Sequence, residues 1–294
     1  MTIPTQLIIN GLQIGAVYVV FALGLTLIFG VMKIINFSHG EFFTLAGLSV
    51  ASLVPLLRAA TGLPNWAAYA VCFVATLLLM AVIGAVLFKS VFARFARDPV
   101  GALIVTLGLS MLLQSLFSWF FGNAPRKVPP LVPGTMSLLG GRVSYDRFII
   151  FALAIILTAG LWYFLQRTKS GLALRAVAED REAALLQGMD DRHVMLAGFV
   201  IGSLLAALAG GLIAPTTVLT PLVGADYLTK AFIIIIVGGT GSIPGAIVGG
   251  FIVGMIESLA GFYLDSTTAL IALFVLVSAV LLVRPQGILS RVAR

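Results

Sequence analysis

Long apolar runs parted by short polar stretches take up most of this chain and leave it few folds to adopt. They extend over Leu7 to Val31, Phe42 to Leu57, Trp66 to Phe88, Val100 to Phe121, Phe148 to Leu165, Val194 to Ala214, Ala231 to Phe262 and Thr268 to Val283. A bilayer core of about 30 Å is spanned by about 20 apolar residues in a helix. Inside it an open strand would leave its backbone unpaired, and the runs lack the two-residue alternation of a membrane barrel. The sequence therefore predicts an all-α polytopic membrane protein, a single transmembrane domain over residues 1–294 with about eight hydrophobic helical segments. Only 10% of the residues are charged, against about a quarter in soluble domains, so little remains for a soluble domain.

The run from Ala231 to Phe262 would make a helix of roughly 48 Å, too long for one ordinary span. It holds "GGTGSIPG", Gly238 to Gly245, near its first third, and the helix must break there. About seven helical residues precede the break, roughly 11 Å, which reaches only the middle of the membrane. The expectation is a discontinuous re-entrant pair around 231–262. A half-helix enters, turns at the glycines and is followed by a helix that returns to the same side.

Basic residues give an independent check on sidedness. With the N-terminus outside and the C-terminus inside, Lys33, Lys89, Arg94, Arg97, Arg167, Lys169, Arg175, Arg181, Arg192, Arg284, Arg291 and Arg294 fall inside. Arg58, Arg126, Lys127, Arg142, Arg147 and Lys230 fall outside. This arrangement needs the re-entrant pair, because a simple crossing would carry the basic C-terminus out. "GNAPRKVPPLVPGTMSLLGGRVSYDR" then reads as an irregular outside loop rich in Pro and Gly, and residues 166–193 as a helix-prone inside loop. No basic n-region precedes the first run and no Ala-x-Ala site follows it, so that run is expected to be retained. The net charge of +7 is assigned to topology and anionic headgroups rather than to nucleic acid.

Asn36, Ser38, His39 and Glu41 stand with Gly40 between the first two runs, in "INFSHGEFFTLAG". A metal site does not fit. His39 and Glu41 fall on different sides of a helix, His193 belongs to the inside loop, and Cys72 is the one cysteine, alone in an apolar run. Nor does a catalytic cluster, since adjacent Ser38 and His39 do not align and no third member is identifiable. Two compatible readings are left. Asn36 or Ser38 caps a helix beginning near Phe42, with Glu41 in its first turn complementing the dipole. The same positive helix start faces a translocation path, where free N–H donors can meet a solute carboxylate.

Gly238, Gly239, Thr240, Gly241, Ser242 and Gly245 form a second interruption that would line the path from the other half. Its glycines permit tight turns and Thr240 and Ser242 can bond freed backbone groups, although the same glycines suit helix packing. Glu257, in the returning helix, is expected to face the bundle interior, a subunit contact or water, or to lie near the outer headgroups with Asp265. Gln13, Thr106, Ser110 and Gln114 read as partners in interhelical hydrogen bonds.

Within the inside loop, "AEDREAALLQG" combines good helix formers with acidic residues at its start and Gly188 as a stop signal. A short helix beside the membrane is expected. Its "EAALLQG", Glu182 to Gly188, resembles the EAA-x-x-x-G loop of bacterial ABC importer permeases. "NFSHGEFFTLAG", "GGTGSIPGAIVGG" and the "VRPQGILS" tail, in that order and spacing, resemble the branched-chain amino-acid ABC permeases of the LivH type over essentially the whole chain. The resemblance implies a permease subunit in a bacterial inner membrane. It would pair with a second, related permease, two cytoplasmic ATPase subunits that hold ATP and Mg, and a periplasmic or extracellular substrate-binding protein. It assigns Glu182, Ala183, Ala184 and Gly188 to ATPase coupling.

The residues agree in one respect: there is no G-x-x-x-x-G-K-[ST], and "GGTGSIPG" lacks the lysine a phosphate loop needs. ATP hydrolysis is therefore expected on partner subunits, with neither enzyme activity nor a cofactor in this chain. The expected cargo is a branched-chain amino acid. Because the resemblance gives selection to the binding protein, urea, short amides and aromatic amino acids stay open. An ion or water channel would also use re-entrant half-helices but has no need of a docking helix.

Overall fold

The computed structural model describes residues 3–96, 98–138 and 141–289; Arg97, Arg291 and Arg294, used above for sidedness, lie outside the described residues. Helices long and apolar enough to cross a membrane are α1 (Ile3–Met32), α2 (His39–Thr61), α3 (Asn65–Leu87), α5 (Pro99–Phe121), α6 (Tyr145–Arg167), α9 (Asp191–Ile213) and α11 (Ile243–Tyr263). α3 continues through a π-helical turn, Phe88–Phe92, into α4 (Ala93–Phe95). Two shorter apolar helices, α10 (Val223–Gly238) and α12 (Ser266–Val283), complete the bundle, and α7 (Lys169–Glu179) and α8 (Arg181–Leu186) connect α6 to α9. The chain is an all-α polytopic membrane protein, with α10 and α11 as the discontinuous pair.

Local chemistry sets the helix starts. Asp98 accepts the Gly101 N–H with Pro99 opening α5, Asp190 accepts from Arg192 and His193 at α9, and Ser242 accepts from Gly245 at α11, each satisfying an orphan donor of a first turn. α1 is apolar all round and is the buried centre, packed by α11, α9, α6 and α10, as such a helix must be. α3 and α5 instead expose rows of apolar side chains, among them Leu78, Val82, Met111 and Leu112. Where α1 crosses α9 the backbones touch: a Cβ on Gly24 would lie 2.6 Å from the Gly202 carbonyl oxygen, and one on Gly202 2.8 Å from that of Gly24.

α2 and α10 both begin inside the bundle. His39, the first residue of α2, stacks on Phe21 of α1 at 4.8 Å between ring centroids, about 16 Å from the C-terminal end of α1. α1 runs from one end of the bundle, here the first end, to the second; residues 33–38 then climb back to mid-depth and α2 runs out to the first end. α9 runs the opposite way, residues 214–222 climb back, and α10 runs from mid-depth to the second end. The two units run in opposite directions and meet at Gly24–Gly202 and Gly40–Gly224.

Several expectations are corrected. α2 starts at His39, three residues before Phe42. α10 starts at Val223, so the helix that runs into the glycine break has 16 residues, Gly238 included, instead of about seven. The expected pairing of breaks was 36–41 with 238–245, whereas the structure pairs 33–38 with 214–222. Lys230, expected outside, is half-buried within the bundle. The irregular outside loop contains an antiparallel hairpin, β1 (Thr135–Leu138) with β2 (Gly141–Ser144).

Candidate functional site

The polar stretch between α1 and α2 is wholly enclosed: Asn36, Ser38 and His39 are 0% exposed and Glu41 is 1%. Asn36 organises it. Its Oδ1 accepts the Ser38 N–H at 3.1 Å and the Ser38 hydroxyl at 2.7 Å, a local turn that lifts the backbone out of α1 and into α2. Ser38 stands at the N-cap without a side-chain cap bond, since its hydroxyl is committed to Asn36. His39 Nε2 lies 3.3 Å from the Phe21 carbonyl, which pins the first turn of α2 to α1.

Glu41 is held from α5. Its Oε1 accepts from the Ser110 hydroxyl at 2.9 Å and the Gln114 amide at 2.8 Å. Its Oε2, Asn36 Nδ2 and His39 Nδ1 have no hydrogen-bond partner among the described residues, three unpaired polar atoms within six residues at mid-depth, where such groups are costly. Segment 33–38 is seated between two elements, with the Ile35 carbonyl accepting from Thr106 of α5 at 3.4 Å and Phe37 packed on Phe232 of α10 at 5.3 Å.

Directly across from this stretch is the start of α10. Gly40 and Gly224 pack backbone to backbone, and the Gly224 N–H donates to Thr44 Oγ1 at 3.0 Å. The first turns of α2 and α10 thus lie side by side, each N-terminus carrying partial positive charge. Each also carries an acidic residue in its first turn, Glu41 and Asp226. Glu41 is sealed by α5; Asp226 is exposed and Leu222 beside it is 58% exposed. Asp226 was not singled out in the sequence, because "VGADYLTK" reads as a polar loop.

A second charged group joins three helices. Lys230 of α10 lies 2.6 Å from Glu257 of α11 and 2.8 Å from the hydroxyl of Tyr18 of α1, and that hydroxyl donates to Glu257 Oε2 at 2.5 Å. Glu257 therefore faces the bundle interior. It also lines a cavity of about 380 Å³ at the first end with Asn10, Gln13, Arg147, Thr216 and Thr217. Of Tyr18, Lys230 and Glu257, the sequence had marked only Glu257 as needing a partner.

The glycine motif lies elsewhere. Gly238 packs on Gly245 at the second end, where α10 turns into α11. Thr240 and Gly241 stand in this turn, Gly239 is packed by Gly287, and Ser242 donates to the Leu289 carbonyl at 3.0 Å. The structure does not bring these residues to Asn36–Glu41. On α8, Glu182 and Ala183 are exposed, Ala184 is 4% exposed and packed on its own bundle, and Leu186 projects with 87% exposure; Gly188 ends the turn at φ +79°.

A family model described as the permease component of the branched-chain amino acid transport system matches residues 7–284. The high-affinity branched-chain amino acid transport system permease protein BraD of Pseudomonas aeruginosa is 32% identical, over 97% of this chain and 95% of its own length. LivH of Escherichia coli K12, of the same description, is 32% identical with the same coverage. The ribose import permease protein RbsC of Escherichia coli K12 is 28% identical over 85% of this chain and 76% of its own. No solved structure matches the chain.

Proposed function

This chain belongs to the permease-component family of branched-chain amino acid transport systems, and from that membership we propose that it forms part of the translocation path for a branched-chain or related amino acid. It does so as one permease subunit of an ATP-binding cassette importer in a bacterial inner membrane, beside a second, related permease. The first end faces outward to a substrate-binding protein. The second end, with α7 and α8, is cytoplasmic and meets two ATPase subunits, which hold ATP and Mg and perform the hydrolysis.

The observation that carries this reading is Asp226, a carboxylate exposed at mid-depth without a partner among the described residues. A charge at that depth has to meet water or protein rather than lipid. The neighbouring surface supports it: segment 33–38 joins α10 to α5, and Gln114 of α5 is half-buried at the edge of the Glu41 network. On this face Asp226 offers a negative charge to the ammonium group of a zwitterion, and the two helix N-termini offer N–H donors to its carboxylate. Asn36 to Glu41 come within reach of solute only when α10 separates from α2, so alternating access is a movement of one unit against the other. ATPase motion reaches that contact through α8.

Radiolabelled leucine uptake into proteoliposomes holding this chain with its partner permease, ATPases and binding protein tests the proposal. ATP-dependent accumulation is expected. Solute flux through this chain alone without ATP would make it a channel and sink the reading.

A further inference from the structure

We propose that the second end of the chain carries a binding site for the headgroup of an anionic phospholipid, formed by Lys89, Arg94 and Arg192. These residues line a cavity of about 460 Å³ between the α3–α4 junction and the start of α9. Arg181 and Asp191 share the cavity but neutralise each other, with Arg181 Nε and Nη2 donating to Asp191 at 2.8 and 2.5 Å. Lys89, Arg94 and Arg192 have no side-chain hydrogen bond or ion pair among the described residues. The cavity therefore holds an uncompensated positive charge, and small residues, Ala93 and Ala96, leave the space open.

Two observations favour lipid over another anion. The cavity lies where α3 ends and α5 and α9 begin, the level of the headgroups in a helix bundle of this length. Leading to it along α3 is a strip of exposed apolar side chains one turn apart, Leu78, Val82 and Val86, each more than half exposed, on which acyl chains can lie while the phosphate sits among the cations. The π-helical turn Phe88–Phe92, which contains Lys89, falls at the end of this strip, and such turns occur often at functional positions. Arg181 is also the first residue of α8 and donates to the Ala96 carbonyl. A headgroup bound here spans the α3–α4 segment and the base of α8 and α9.

Native mass spectrometry of the full-length chain in mild detergent tests this, with phosphatidylglycerol or phosphatidylcholine supplied at equal concentration. The wild type should retain phosphatidylglycerol with a preference of about tenfold. Arg94→Gln combined with Arg192→Gln should abolish the preference, and Lys127→Gln, at the first end, should keep it. Arg94→Lys, which preserves the charge, should retain most of it and so separates loss of the site from loss of the fold. A double variant that keeps the wild-type preference for phosphatidylglycerol overturns the proposal, as does complete displacement of the lipid by inorganic phosphate, which assigns the site to a free anion. Loss of ATPase co-purification with lipid retention unchanged assigns the face to an acidic protein partner instead.

Discussion

Gly40 and Gly224, each the second residue of its helix, hold two helix starts in backbone contact at the middle of the bundle. A Cβ on either would strike the carbonyl of the other. Gly224→Ala should therefore cost about 1–3 kcal/mol of stability and block uptake, because α2 and α10 can no longer close on each other. Gly241→Ala is the contrast. Its surroundings are open, with only Gly30 Cα at 3.9 Å, and its cost comes from φ +79° alone, about 1 kcal/mol. Thermal unfolding of the two purified variants should rank them in that order.

Removing one member of the Lys230–Glu257 pair leaves the other charged and partly buried. Lys230→Met should lower Tm by roughly 5 °C, and adding Glu257→Leu should recover most of the loss, since neither charge is then orphaned. Tm values for the single and double variants decide it. Additive losses would mean that the pair is too well solvated to couple the three helices.

Asp226 makes no hydrogen bond or ion pair among the described residues, so Asp226→Asn should leave Tm within about 1–2 °C of wild type. Uptake should fall by at least about tenfold, the effect of one lost charge contact. Unchanged uptake would take Asp226 off the path.

On α8 the exposed side chain is Leu186 and the inward one Ala184. Leu186→Asp should release the ATPase subunits while the permease stays folded; Ala184→Asp should destabilise the permease itself by burying a charge. Co-purification of the ATPase, read beside Tm, separates the two. If Leu186→Asp still binds ATPase and transports, docking lies elsewhere.

Sidedness is open to chemical labelling. In a Cys72→Ala background, a cysteine at Thr135 should react with an impermeant thiol reagent in intact cells and one at Leu186 only after lysis. The reverse result would invert the bundle.

The helices were legible because apolar length alone specifies a span, and the break at 33–38 was legible because Asn36, Ser38, His39 and Glu41 cannot sit among apolar residues without a reason. The start of α10 was hidden. Asp226 and Lys230 gave "VGADYLTK" the look of a loop, and the group that accommodates Lys230 in the bundle is Glu257, on the next helix, a pairing no local pattern announces. The opposed arrangement of the two units was hidden for a related reason: they meet through backbone contacts, Gly24 with Gly202 and Gly40 with Gly224, which no pattern of side chains announces. The glycine motif at Gly238 to Gly245 was seen correctly as a break and set at the wrong depth, because depth depends on where a helix begins.

The last carbonyls of α10, at Val237 and Gly238, accept the backbone N–H groups of Ile288 and Leu289, at 2.8 and 3.1 Å. The half-helix thus leaves the ribosome well before the strap that completes its hydrogen bonding. Until α11 and α12 have been threaded and the strap has been made, its tip at the second end stays unsealed. Closure of this helix end is therefore a late step of folding, one that waits for residues 288 and 289.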